Sequence, residues 1–368
     1  MSTNEQPRRA KCAGKIGFLA GIAFAASLGA HAFAWDAHGH RAISYVALDL
    51  LPDDMPAWVR EGQWAHVIAD QAAVPDRWRS TRTDTMSAEN GPNHYLDVDL
   101  LPQFGLTLET MPRLRGDYIR AMIDAKREHP DRVKPYDRAG DTSGQYEFPG
   151  FALQAIDEEY QRLRSAFNTL RVLESLKDPA RAHQVEATRA NIIVSMGNLS
   201  HYIGDLAQPL HTTMHHHGWI GENPGGYTTE NGFHSYIDGR IVDFHAIGYA
   251  EIRAVSAPRS DEEVLGAATP RPGVWAGVVA HVAESFGTVE QLYKYERSGE
   301  LREAVGKEFI LSRMSSGAEV LAWVYRRAWE ESEPTDADVS GFLRFDGGDV
   351  YKLPTLGSEP VGGGADRP

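Results

Sequence analysis

The chain has 368 residues, of which 42% are hydrophobic and 24% are charged, a composition typical of a globular enzyme with an ample core. Its formal net charge is −14, from 37 basic and 51 acidic residues. This balance excludes a protein that binds nucleic acid through a broad basic surface. It does not exclude a hydrolase that holds phosphate groups through bound cations.

The first 34 residues have the pattern of a secretory signal peptide. Basic residues between positions 8 and 15 precede a short apolar run over 16–28, and an Ala-Phe-Ala cleavage motif ends at Ala34. The run is too short for a comfortable membrane span. Cleavage would remove Cys12, the only cysteine, and leave 33 basic and 50 acidic residues, hence a net charge of −17. We therefore expect a secreted or periplasmic protein without disulfides.

Apolar residues at three- and four-residue steps predict helices along most of the mature chain. The predicted helices cover 43–50, 64–73, 113–127, 152–176, 192–206, 234–254, 274–298 and 301–330. Between them, 74–79 reads as the end of the second helix and 93–99 as a short extended piece or loop. Strands are scarce and no linker divides the chain. The sequence predicts an all-α fold with one domain over 35–332 and a polar, Gly/Pro-rich tail over 333–368.

One helix carries a candidate metal motif. His201 and Asp205 are four residues apart and share a helical face, Pro209 ends the helix, and His211 follows. Histidine and carboxylate on one face suit a divalent metal such as zinc. Taken alone, the pair is more typical of a polar helix flank with hydrogen-bonded histidines.

The rest of the chain favours the metal interpretation. His234 and Asp238 repeat the spacing of His201 and Asp205, and Trp35 lies directly after the cleavage site. The side-chain candidates are imidazoles and carboxylates without a thiol, which fits hydrolytic zinc. The full set of candidate ligands is Trp35, His40, Asp76, His94, His201, Asp205, His211, His234 and Asp238.

These motifs resemble the S1/P1 nuclease and zinc-dependent phospholipase C family. The resemblance rests on Trp35 with Gly39-His40, on Pro75-Asp76-Arg77-Trp78-Arg79, on His94-Tyr95-Leu96-Asp97, on His201 through His211, and on His234-Ser-Tyr-Ile-Asp238. It covers residues 35–100 and 182–255. It implies the mainly helical phospholipase C/P1 nuclease fold with a cleft that holds three zinc ions.

The resemblance also implies a ligand set for each ion. One zinc would be held by Asp76, His94, His201 and Asp205. A second would be held by the amino nitrogen and carbonyl oxygen of Trp35, with His40 and a shared Asp205. The third would be held by His211, His234 and Asp238, with positions open to water and substrate.

The same resemblance assigns the catalytic and substrate contacts. Two zinc ions bridged by Asp205 would activate a water for in-line attack on phosphorus, and the third would stabilise the leaving oxygen. Asp76 has family roles as ligand and base, and Arg79 matches a position that clamps phosphate. Tyr95 would stack on a base and Asp97 would accept a hydrogen bond from its edge. The alternative for these last two is a core tyrosine and a solvated aspartate.

Three departures from the family pattern stand out. Residues 101–155 resemble an insertion that forms a lid or narrows the substrate range. The segment 224–233 lacks the Gly-Gly-Asn common in nucleases, which leaves the base specificity open. His215, His216 and His217 are spare ligands or, as we expect, a polar loop near the cleft.

The leading expectation is a secreted zinc-dependent phosphodiesterase that hydrolyses single-stranded DNA and RNA to 5′-phosphorylated products, with 3′-nucleotidase activity and three zinc ions per chain. The five-residue spacing from Trp35 to His40, Asp238 as last ligand and Tyr95 with Asp97 favour it. One alternative is a zinc-dependent phospholipase C acting on phospholipid headgroups. Another is a non-catalytic exported zinc-binding protein. We expect a monomer.

Overall fold

Helices make up most of the described chain. The computed structural model describes Met1 and residues 35–81, 83–266 and 273–346. The α-helices are α1 (Ala37–Asp49), α2 (Gly62–Gln71), α3 (Val74–Arg79), α4 (Asp84–Asn90), α5 (Arg115–Glu128), α6 (Ala152–Leu176), α7 (Ala182–Ala207), α8 (Phe233–Ser235), α9 (Ile241–Phe244), α10 (Tyr249–Val255), α11 (Asp261–Leu265), α12 (Val274–Phe286), α13 (Val289–Ser298), α14 (Ala304–Glu330) and α15 (Asp336–Phe345). No strand occurs in those ranges, which confirms the all-α prediction.

The central element is α7. It packs against α6, α14, α2, α12 and α1. From Ser195 to Ala207 every side chain is buried, although Asn198, His201 and Asp205 lie in this segment. Burying polar and charged groups is unfavourable unless they find partners. The buried polar residues in this half of α7 therefore indicate a functional site and not an ordinary hydrophobic core.

Small residues on α7 let its neighbours come close. A Cβ atom on Gly204 would lie 3.0 Å from Nδ1 of His40 on α1. On the α14 side, a Cβ atom on Gly317 would lie 3.0 Å from the Cβ of Ala207. Both approaches are tight, so a glycine on each contact sets the distance between these helices.

Residues 74–79 and 234–254 have a local structure that differs from the predicted one. Residues 74–79 form the separate helix α3 instead of the end of α2, because Pro75 lies in the first turn, where a missing N–H has no helical partner to lose. The predicted helix 234–254 is divided into α8, a π turn at Tyr236–Arg240, α9 and α10. Ala246, with φ of 51°, adopts a left-handed conformation that no α-helix continues.

The predicted helix 274–298 is also divided, into α12 and α13, with Gly287 and Thr288 between them. The region 101–155 contains α5 and the long loop after it. Two bidentate ion pairs fasten it to α6, Arg113 with Asp157 and Arg115 with Glu158. These pairs fix the start of α5 beside α6.

The ends of the chain are only partly described. The tail predicted from residue 333 includes a helix, α15, whose N-terminus is capped by Thr335. Residues 347–368, and residues 2–34 of the predicted signal peptide, lie outside the described residues. Among the helices in the described ranges, none has the length and apolarity needed to cross a membrane.

Candidate metal centre

Eight of the predicted ligand side chains come together in three buried groups. His40 comes from α1, Asp76 from α3 and His94 from the 3-10 turn Gly91–His94. The other five come from α7, the 3-10 turn Pro209–Thr212, α8 and the π turn. In each group the ligand atoms lie within 4.8 Å of one another. The first group is His40, Asp76 and His201; the second group is His94, His201 and Asp205; the third group is His211, His234 and Asp238. These groups could hold metal ions.

Asp205 lies at the middle of the first two groups. Its Oδ1 is 3.2 Å from Nε2 of His40, and its Oδ2 is 3.1 Å from Nδ1 of His94. The i,i+4 spacing on α7 puts the same Oδ2 3.3 Å from Nε2 of His201. Burial, and then the neighbouring charge of Asp76, raise the pKa of Asp205 well above its usual range. A cation among these atoms would favour the ionised carboxylate.

Backbone carbonyls orient two of the imidazoles. Nδ1 of His201 lies 2.7 Å from the oxygen of Ala72, and Nδ1 of His211 lies 2.6 Å from the oxygen of His94. Since a carbonyl only accepts, we assign the proton of each ring to Nδ1. Burial lowers the pKa of both histidines well below the usual value, so the rings are neutral and each Nε2 carries a lone pair. Such outer contacts are typical of metal-binding histidines.

Those lone pairs face other ring nitrogens at short distance. Nε2 of His201 lies 2.8 Å from Nδ1 of His94, and Nε2 of His211 lies 2.8 Å from Nε2 of His234. In the third group, Nε2 of His234 is also 3.5 Å from Oδ2 of Asp238. Nitrogen and carboxylate atoms therefore converge on shared points, as the ligands of a metal ion do.

The grouping differs in one respect from the predicted ligand sets. His40 was expected with Trp35 and Asp205, and it does lie against Asp205, but it also groups with Asp76 and His201. The rings of His40 and His201 stack at 4.2 Å. The first two predicted sets therefore form one continuous cluster.

Trp35 belongs to none of the side-chain groups, because its predicted ligands are main-chain atoms. Its side chain is fully buried. The next residue, Asp36, caps α1 through its side chain and donates its backbone N–H to the oxygen of Asp238 over 3.2 Å. The backbone next to Trp35 is thereby bonded to a residue of the third group.

The predicted phosphate and base contacts border the cluster. One guanidinium nitrogen of Arg79 lies 2.8 Å from Oδ1 of Asp76, and the Arg79 side chain is 21% exposed. The half-buried Tyr95 donates its hydroxyl to the oxygen of Gln145 over 2.7 Å. Asp97 is only 5% exposed, so the alternative of a solvated aspartate is wrong.

Asp97 has an unusual environment. Its Oδ1 is buried and accepts no hydrogen bond from the residues that the structure describes. Nδ1 of His216 is 3.9 Å from that oxygen. Burial, together with the charge of Asp99, raises the pKa of Asp97 well above its usual range. A buried acceptor without a donor is rare in folded proteins, which distinguishes Asp97 from an ordinary core or surface aspartate.

The three consecutive histidines line the same region without joining a group. The rings of His216 and His217 lie 6.2 and 5.4 Å from the ring of His234, whereas His215 stacks on Trp219 at 4.0 Å. None of the three occurs in the ligand groups found among the described residues.

Sequence reasoning missed Gln208. This fully buried residue donates from Nε2 to Oδ1 of Asp238 over 2.8 Å and accepts from the backbone N–H of Leu210 over 2.6 Å. Its two amide atoms thus fix a ligand of the third group to the turn that carries His211. The only signal in the sequence is its position between two candidate ligands and before Pro209.

In comparisons with known proteins, neither a protein-family model nor a curated protein matches the chain.

Proposed function

We propose that this chain is a secreted or periplasmic zinc-dependent phosphodiesterase of the S1/P1 nuclease type. It hydrolyses single-stranded DNA and RNA to 5′-phosphorylated products and acts on 3′-nucleotides. The observation that supports it best is the continuous buried cluster of histidines and aspartates around Asp205, with a third group beside it. A carboxylate that lies against ligands of both the first and the second group suits a multinuclear hydrolytic centre.

The donor set fits zinc. Five imidazoles and three carboxylates supply nitrogen and oxygen without a thiol, as in hydrolytic zinc sites. Oδ2 of Asp238 is buried and accepts no hydrogen bond from a described residue, although it lies 3.5 Å from Nε2 of His234. A cation at that point would pair with both atoms.

In the proposed centre, Asp76, His94, His201 and Asp205 hold one ion, and Trp35, His40 and Asp205 hold the second. His211, His234 and Asp238 hold the third. Bound zinc supplies an activated water and neutralises charge on phosphoryl oxygens.

The other residues position the substrate. Arg79, held beside the cluster by Asp76, binds a non-bridging phosphate oxygen through its guanidinium group. Asp97 accepts a hydrogen bond from a base edge through its carboxylate, and the ring of Tyr95 provides an aromatic surface for the same base.

The test uses mature protein beginning at Trp35 and purified without added metal. Elemental analysis should give about three zinc ions per chain, and a chelator should abolish hydrolysis of denatured DNA and RNA. His40→Ala should lose zinc and most activity, whereas His38→Ala, an exposed histidine on the same helix, should change neither. Three zinc ions with turnover of phosphatidylcholine alone would reassign the chain as a phospholipase C. Zinc without turnover of any phosphodiester would make it a binding protein.

A further inference from the structure

The loop over residues 136–150, which we call the Asp141 loop, is built against the segment that carries Tyr95. Tyr95 donates its hydroxyl to the oxygen of Gln145, and the N–H of Asp97 donates to the oxygen of Pro149 over 2.6 Å. At Gly150, φ is 106° and a Cβ atom would lie 2.0 Å from the backbone oxygen of Tyr95, so only glycine fits. The loop is therefore attached to the substrate side of the proposed centre through main-chain contacts.

Asp141 organises the loop from within. Its carboxylate accepts from the hydroxyl of Ser143 over 2.6 Å, from the N–H of Gly144 over 3.1 Å and from the N–H of Tyr146 over 3.0 Å. The hydroxyl of Tyr136 donates to the same carboxylate. These bonds fix the backbone at Tyr146 before any ligand arrives, which lowers the entropic cost of binding through its side chain.

Tyr146 exposes much of its side chain beside Tyr95. The residue is 54% exposed although its backbone is fixed, and its ring centroid lies 6.2 Å from that of Tyr95 with an interplanar angle of 32°. Burial raises the pKa of its hydroxyl above the usual value. Tyr146 thus lies beside the proposed base contact.

Neighbouring rings connect Tyr146 to the third ligand group. The ring of Tyr95 is 6.4 Å from that of His216, and the ring of His216 is 6.2 Å from that of His234. Aromatic rings in succession are what proteins use to hold successive bases of a single strand.

We infer that Tyr146 is a specificity-determining residue that stacks on the base of a second nucleotide, next to the one held by Tyr95 and Asp97. This inference rests on the proposed function and names its preferred substrate as an oligonucleotide over a mononucleotide. The region 101–155 would then extend the substrate site in place of closing it as a lid.

The test compares Tyr146→Ala with wild type on a short oligothymidylate and on a 3′-mononucleotide. On the oligonucleotide we expect kcat/KM to fall about tenfold, mostly through KM, because stacking of one base on an aromatic ring has about this effect. On the mononucleotide we expect no change. Tyr146→Phe should keep the wild-type values, and Tyr249→Ala, a 43% exposed tyrosine on α10, serves as the surface control.

Binding gives a second readout. The Kd of a labelled, hydrolysis-resistant phosphorothioate oligothymidylate, measured by fluorescence anisotropy, should rise by a similar factor in Tyr146→Ala. Equal losses on both substrates, or an unchanged Kd, overturn the inference while leaving the nuclease proposal intact. A wild-type chain that cleaves neither substrate overturns both, so the two failures are distinguishable.

Discussion

The ring of His211 and the backbone of His94 hold each other's segments in place. Nδ1 of His211 lies 2.6 Å from the oxygen of His94, and the oxygen of His211 accepts the N–H of Leu96 over 2.9 Å. His94, which belongs to the continuous cluster around Asp205, thereby orients His211, a candidate ligand of the third group. Changes near either residue should therefore alter both zinc content and activity.

Gln208 provides the first prediction. Gln208→Ala removes the amide that fixes Oδ1 of Asp238, so Asp238 loses its orientation toward His234. We expect zinc affinity of the third group to fall about 10- to 100-fold, as outer-contact substitutions at metal sites do. Chelator competition and elemental analysis measure the effect. Gln184→Ala, at the far end of α7, is the matched control. Equal zinc affinity in wild type, Gln208→Ala and Gln184→Ala would contradict the role of Gln208.

Gly204 provides the second prediction. In Gly204→Ala the new Cβ lies 3.0 Å from Nδ1 of His40, whose ring is stacked on His201 and cannot move away freely. We expect at least a tenfold loss of phosphodiesterase activity, since small misplacements at a catalytic centre have large effects. Gly116→Ala, on α5 with open space around it, should instead raise the free energy of unfolding by about 0.5–1 kcal/mol. Full activity of Gly204→Ala would show that the close approach is not needed.

Asp97 gives a prediction about pH. Because its pKa is raised in the folded protein, the folded state loses stability as pH rises from the unfolded pKa, about 3.9, toward the folded value. Asp97→Asn removes this loss, so we expect the variant to be more stable than wild type at neutral pH and no more stable below about pH 4. Thermal unfolding across pH measures this, with the fully exposed Asp53→Asn as control.

The same variant also tests the base contact. Asp97→Asn should lower kcat/KM on single-stranded DNA about tenfold, because the amide replaces a charged acceptor with a neutral and weaker one. It should leave turnover of bis(p-nitrophenyl) phosphate, which has no base, unchanged. A loss on both substrates would indicate that Asp97 supports the metal centre instead.

The N-terminus provides the last prediction. The side chain of Trp35 is buried, and the adjacent N–H of Asp36 donates to the oxygen of Asp238. A recombinant chain with a tag or Met before Trp35 should therefore lose about one zinc ion and most activity, because a blocked amine cannot bind metal. Proteolytic removal of the tag should restore both. Three zinc ions in the tagged protein would exclude the amine as a ligand.

One long amphipathic helix could be predicted from the sequence to the residue, whereas α7 begins at Ala182, ten residues before the predicted 192–206. The predicted 152–176 coincides with α6, because its apolar positions recur over many turns. The region 234–254 could not, because a π turn changes the number of residues per turn and Ala246 needs a left-handed conformation. The recurrence of apolar residues at a period of 3.6 residues reveals neither feature.

The candidate ligands could be predicted from residue type and spacing, but their grouping could not. His40 meets Asp76 and His201 only because α1 approaches α7 at Gly204. Gln208 was missed because an amide reveals its role only through the direction of its two atoms. Both depend on tertiary contacts that one-dimensional spacing does not encode.

The attachment of the Asp141 loop has a consequence for protein engineering. The loop is joined to its support mostly through backbone atoms, through the carboxylate of Asp141 and through Gly150. The side chain at position 146 takes part in none of these attachments, since only its N–H is used. We therefore expect a library that varies this position alone to change the choice of substrate while the scaffold and the proposed metal ligands remain unaltered.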